Sequence, residues 1–121
     1  MLWVPVTLAG MQRSCDVKAL IDTGTTRVTL HPKLAKDLGY DLAQLARERV
    51  VTGSGLVTGR LLTLKSVRLR ELVVNDLGAI TIEGFPWETR VLLGLDFLLR
   101  FTIHYDPSRR TLKITKPGSK A

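Results

Sequence analysis

The chain has 121 residues, with 18 Lys and Arg against 11 Asp and Glu, a formal charge of +7, 45% hydrophobic and 24% charged residues. That is the length and composition of one globular domain, and no run of about 18 uncharged apolar residues is present to form a transmembrane helix. One cysteine, Cys15, excludes an internal disulfide framework and any multi-cysteine zinc site, so a reducing, cytoplasmic setting is expected. Residues 1–6 lack a basic region and are broken by Pro5, so they do not read as a secretory signal.

The charge is uneven. Residues 47–70 hold six basic residues and one acidic one, residues 100–121 repeat that ratio, and residues 71–99 hold five acids against Arg90. A basic chain invites a nucleic-acid reading. However, Arg68 and Arg70 alternate with Val67 and Leu69 as the wet face of a strand does, and no binding motif accompanies the charge. No nucleic-acid partner is therefore expected, nor any membrane partner.

In chain order, short β-branched or Leu-rich segments between frequent turn residues predict an all-β barrel or sandwich. Residues 2–8 alternate as a strand, with Pro5 marking an edge because it cannot donate to a ladder. Gly10 begins a turn, residues 17–21 form the return strand, and residues 28–30 a further short one. Pro32 suits a first helical position, Leu34, Ala35 and Leu38 share one face, and Gly39 can end the helix. Asp41 can cap a second helical turn carrying Leu42, Leu45 and Ala46. Residues 50–64 read as a hairpin around Thr52-Gly53-Ser54-Gly55. One or two strands follow over 61–74, with the alternation slipping near Ser66, and another over 79–82. Residues 84–88 are a loop, 91–93 a buried strand and 95–99 a short helix. Residues 101–105 and 111–115 make a last hairpin, and a basic flexible tail is expected over 117–121, beyond a single domain spanning 1–116.

The chemistry lies in Ala19-Leu20-Ile21-Asp22-Thr23-Gly24-Thr25-Thr26. An apolar strand ending in a carboxylate on a tight turn presents that carboxylate at the strand's mouth, and Gly24 lets the backbone turn sharply. About seventy residues on comes Val91-Leu92-Leu93-Gly94-Leu95-Asp96-Phe97-Leu98. Here a hydrophobic pair, then Gly94, then a short amphipathic helix suits a buried strand passing beneath a tight turn.

In this order and spacing the two segments resemble the retropepsin family of aspartic proteases, most of all its bacterial and cellular single-domain members. The resemblance runs from the opening hairpin at Trp3 to the last one near Ile114, and its flap corresponds to Thr52, Gly53, Ser54 and Gly55. It implies a closed, barrel-like half of an acid protease with short helices, one lobe per chain. It also implies an aspartic endopeptidase with no cofactor and no metal, acting on a peptide or protein substrate. That chemistry uses two carboxylates sharing one proton. The chain holds one Asp-Thr-Gly, so the second Asp22 must come from a homodimer partner across a two-fold axis.

By the same resemblance, Asp22 is catalytic and Thr23 joins the hydrogen-bonded grip between the two loops. The Gly24 carbonyl accepts substrate backbone, Thr25 hydrogen-bonds the outer carboxylate oxygen of Asp22, and Leu92, Leu93 and Gly94 form the second motif. Viral members usually carry Asp four positions after the catalytic one and Arg just after the second-motif glycine. Here those positions are Thr26 and Leu95, so the ion pair that buttresses the viral dimer is missing.

Other readings are weaker. Cys15 with His31 or His104 forms no nucleophile motif, and two histidines with scattered acids do not make metal spacing. Thr52-Gly53-Ser54-Gly55 lacks the lysine of a phosphate loop. Asp96, at a helix start, reads as a cap. Trp3, Phe85 and Trp87 read as core or interface residues. The cleft walls are expected from Arg27, residues 52–58 and residues 87–91. The rival from another class is a non-catalytic dimerisation or peptide-binding module that keeps the loop for structure.

Overall fold

The computed structural model describes residues 2–53, 55–100 and 102–115; Ser54, Phe101 and the tail expected over 117–121 lie outside the described residues. The strands are β1 (Trp3–Ala9), β2 (Ser14–Ile21), β3 (Val28–Leu30), β4 (Arg47–Thr52), β5 (Gly55–Leu69), β6 (Leu72–Ile82), β7 (Val91–Leu93), β8 (Thr102–Asp106) and β9 (Thr111–Thr115). Two short helices, α1 (Pro32–Asp37) and α2 (Leu95–Leu98), and a 3₁₀ turn at Leu42–Gln44 complete the chain.

Six strands close on themselves in the order β1-β2-β7-β3-β6-β5, with β5 returning to β1 through Thr7–Ala9 against Ser66–Arg68. The barrel is mixed: β2 runs parallel to β7 and β3 parallel to β6, while the remaining pairs are antiparallel. Closure turns one face of every strand inward. Leu8, Leu30, Leu64, Val67, Val91 and Leu93 fill the interior with Phe97 from α2. Each such burial stabilises by about 1.5–3 kcal/mol relative to an exposed side chain.

Pro5 is accommodated at a half-edge. Ile21 N–H donates to the Leu2 carbonyl at 2.9 Å, so by alternation the backbone of Pro5 faces away from β2. The second partner, β5, begins only at Thr7. The missing donor thus falls where no ladder bond is needed.

β5 and β6 are longer than the sequence signals. They join through a turn at Arg70 and Glu71, with Arg70 at φ 57°. Asn75-Asp76 and Gly78 look like turn chemistry, yet they lie inside β6. Asp76 takes φ 53°, and the paired register omits Lys65 opposite it. Two consecutive residues on each strand, Lys65-Ser66 and Asn75-Asp76, point away from the core there. The alternation slip expected near Ser66 is this irregularity.

α1 begins at Pro32, with His31 as N-cap: its Nδ1 accepts from Lys33 N–H at 3.0 Å. Gly39 ends it at φ 100°, a backbone few other residues adopt. Asp41 caps the following turn, accepting from Ala43 N–H at 3.1 Å. Among the described residues no helix is long and apolar enough to cross a membrane.

Candidate active site

β2 delivers Asp22. Leu20 and Ile21 pair with Leu92 and Leu93 of β7, and Asp22 N–H extends that ladder to the Leu93 carbonyl at 3.1 Å. Beyond it the chain turns back on itself. Gly24 N–H donates to Asp22 Oδ1 at 2.8 Å, the local carboxylate–amide bond that suits Asp to turns. Thr25 N–H and Thr25 Oγ1 both donate to the Asp22 backbone carbonyl, at 3.4 and 3.2 Å. The hydroxyl expected on the outer carboxylate oxygen therefore binds main chain instead, because the tight turn brings Asp22 C=O directly beneath it.

The loop 22–27 then crosses over Gly94 and enters β3 on the other side of β7. A Cβ at Gly94 would lie 2.5 Å from the Arg27 carbonyl oxygen and 2.8 Å from that of Thr26. Gly94 has φ −90°, so close approach, not conformation, demands glycine. Two backbone bonds clamp the crossing: Leu95 N–H to Thr25 C=O at 2.9 Å and Asp96 N–H to Thr26 C=O at 2.7 Å. Asp96 is not the cap of α2. Gly94 holds that position without a side-chain bond, and the crossing loop takes the first amides instead.

A cleft of about 1160 Å³ opens beside this loop. Residues 24–27 form its floor with Leu92; the β4–β5 hairpin covers it through residues 48–51, Gly53 and Val57; Ile80, Ile82 and residues 83–86 make the far wall. Asp22 itself is not among the lining residues. Arg27 lines the cleft as expected, but the wall comes from residues 83–86 rather than 87–91. Trp87 turns away onto α1: its ring lies 4.4 Å from the Arg90 guanidinium, 5.1 Å from Lys33 Nζ and edge-on to His31 at 4.8 Å. Neither tryptophan is core, since Trp3 and Trp87 remain 40% and 36% exposed.

The sequence reading missed Glu48. Its two carboxylate oxygens take both terminal nitrogens of Arg27 across the cleft. Nothing local marks such a pair, since the partners lie 21 residues apart and meet only when β4 is folded over the loop.

A family model described as aspartyl protease matches residues 4–97. The chain belongs to the aspartyl protease family. No protein of curated function matches significantly. Among solved structures, a retropepsin-like aspartic protease from Rickettsia conorii is similar at 23% identity and a TM-score of 0.66, covering 93% of this chain and 78% of that one. The retroviral protease-like domain of Ddi1 from Leishmania major is similar at 22% identity and a TM-score of 0.60, covering 94% and 87%. The fold of this family member is thus that of a retropepsin half-domain. Backbone joins the two motifs here: Leu95 N–H bonds the Thr25 carbonyl and Asp96 N–H that of Thr26.

Proposed function

We propose that the chain is an aspartic endopeptidase active as a homodimer, each subunit supplying one Asp22 carboxylate to a shared pair. The observation that carries this reading is the setting of Asp22, fixed by a ladder bond to Leu93 at the head of the loop that floors the cleft. Asp22 does not line the cleft of the single chain, which fits a group whose surroundings are completed by a second copy. The two-fold axis then runs beside Asp22, and the exposed Thr23 lies where it can bond its counterpart.

In this mechanism two close carboxylates hold one proton between them, since both cannot readily ionise. The ionised carboxylate takes a proton from a water as its oxygen attacks the peptide carbonyl carbon. The protonated carboxyl donates to the carbonyl oxygen. Collapse of the resulting diol breaks the C–N bond as one carboxyl passes its proton to the departing nitrogen and the other, now ionised, takes a proton from a diol hydroxyl. The Gly24 carbonyl receives substrate backbone. The β4–β5 hairpin, with Thr52, Gly53 and Gly55 at its described tip, closes over the peptide and excludes water. Cys15, free in the structure and the one cysteine of the sequence, fits a reducing setting such as the cytoplasm.

The test is Asp22→Asn, which cannot share the proton or activate water. Cleavage of a mixed peptide library should fall by about 10³-fold or more, with an unchanged circular dichroism spectrum. Sedimentation at micromolar concentration should show a dimer, at least with a pepstatin-like inhibitor bound. Retained cleavage in the variant, or a strict monomer cleaving at full rate, would overturn the reading.

A further inference from the structure

Arg27 and Glu48 meet inside the cleft. Arg27 ends the floor loop. Glu48 is the second residue of β4, on the half-buried face it shares with Val50. The register sets Gly59 and Val57 opposite this pair of residues on β5. The guanidinium grips the carboxylate with both terminal nitrogens, Nη1 to Oε2 in a short contact and Nη2 to Oε1 at 3.5 Å. Both side chains remain open to the cleft, at 41% and 37% exposure. The hydrogen bond that Arg27 donates to Glu48 raises the Arg27 pKa above its usual value; burial opposes this, and the charges of Glu48 and Asp96 add to it.

The lining around the pair is largely apolar, with Val50, Val57, Ile80, Ile82 and Leu92, while a second pair of opposite charges, Arg49 and Glu83, also borders the cleft. An unpaired charge among such residues penalises an apolar side chain laid against it and attracts one of opposite sign. Paired in this two-pronged way, the two charges cancel for anything that lies beside both. We propose that Arg27 and Glu48 set the charge preference of the cleft: together they keep it selective for uncharged side chains, and either one left alone recruits a substrate side chain of opposite sign. This rests on the cleft being a peptide site, the reading given above.

The experiment takes a peptide bound by the chain, drawn from a mixed library, and remakes it with Leu, Asp or Lys at each position in turn. Dissociation constants are measured in an Asp22→Asn background with native residues, with Glu48→Gln, with Arg27→Gln, and with the exchange Arg27→Glu/Glu48→Arg. At one position the native pair should bind Leu at least tenfold more tightly than Asp or Lys. Glu48→Gln should tighten the Asp peptide about tenfold, and Arg27→Gln should tighten the Lys peptide by at least as much, because Asp96 still offsets a freed Arg27. The exchange keeps both charges, serves as the folding control, and should restore the Leu preference. The same order of Leu, Asp and Lys in all four proteins at every position, or no peptide bound at all, would overturn the role of the pair. A charge switch seen in binding while the Asp22 proteins cleave nothing would instead overturn the protease reading and leave the pair standing.

Discussion

The loop over Gly94 and the hairpin that faces it across the cleft are held in opposite ways. The loop has a ladder bond at Asp22, two amide clamps from Leu95 and Asp96, and a glycine beneath it with no room for a methyl group. At the hairpin tip Val51 pairs with Leu56 and Thr52 with Gly55 across the two strands. Val51 is 80% and Leu56 65% exposed, so this cross-strand pair leaves two large apolar side chains in water. Charge development at a carboxylate needs donors that do not move. Admitting a polypeptide needs a roof that does. The single chain thus holds its floor by main-chain clamps and its hairpin by cross-strand pairing, and the Arg27–Glu48 ion pair ties the one to the other.

The largest effect expected from breaking this contrast is at Gly94. In Gly94→Ala the new methyl group meets the main-chain carbonyls of residues 26 and 27, and the first of these is clamped by the Asp96 amide at 2.7 Å. Overpacking of this kind costs about 3 kcal/mol, a fall of about 10 °C in melting temperature for a domain of this size. Gly53→Ala is the matched control, since a Cβ there meets nothing within 4 Å. Thermal unfolding of the two variants should differ by nearly that whole amount. Equal midpoints would mean that the crossing is not the fixed point of the fold.

The same contrast explains what could be read from the residues alone. The floor was legible because its demands are local and chemically sharp: an apolar run, a carboxylate, a tight turn, and a glycine where two strands cross. Helix α1 was legible through Pro32, its apolar face and Gly39. The long β5–β6 ribbon was not. Its turn, Arg70-Glu71, carries none of the usual turn residues, whereas Asn75, Asp76 and Gly78 carry them in mid-strand. There, pairing with β5 overrides local preference. Asp96 and Thr25 depart from expectation in the single chain for a related reason: side-chain habit suggests one partner for each, and the turn and crossing of the chain supply a backbone partner instead. Glu48 could not be found at all, because its role exists only once the hairpin lies over the loop.

A moderate effect is expected in the hairpin. If the cover closes on a peptide, amides over residues 47–60 should exchange at least tenfold more slowly with a pepstatin-like inhibitor bound, about 1.4 kcal/mol of added protection. The amides of Asp22, Leu95 and Asp96 should already be slow and change far less. Hydrogen exchange followed by mass spectrometry resolves both regions in one experiment. Equal slowing in floor and hairpin would show that binding stiffens the whole domain and that the division between the two regions is not functional.

The smallest effect is expected at Thr25. A hydroxyl donated to the Asp22 carboxylate would favour its ionised form, and removing it would move both limbs of a bell-shaped activity profile toward higher pH. In this chain the hydroxyl goes to the Asp22 carbonyl, and the carboxylate is served by the Gly24 amide, which no side-chain substitution removes. Thr25→Ala should therefore leave both limbs where they are. Its cost should be only that of one partly exposed hydrogen bond, about 0.5–1.5 kcal/mol in stability. Thr25→Ser, which keeps the donor, should recover most of it. Cleavage rate against pH on one peptide, with melting temperatures for the three proteins, separates the two roles. An alkaline shift of the limbs in Thr25→Ala that Ser reverses would mean that the hydroxyl turns to the carboxylate in the working dimer, and that the loop is less rigidly set than its main-chain bonds imply.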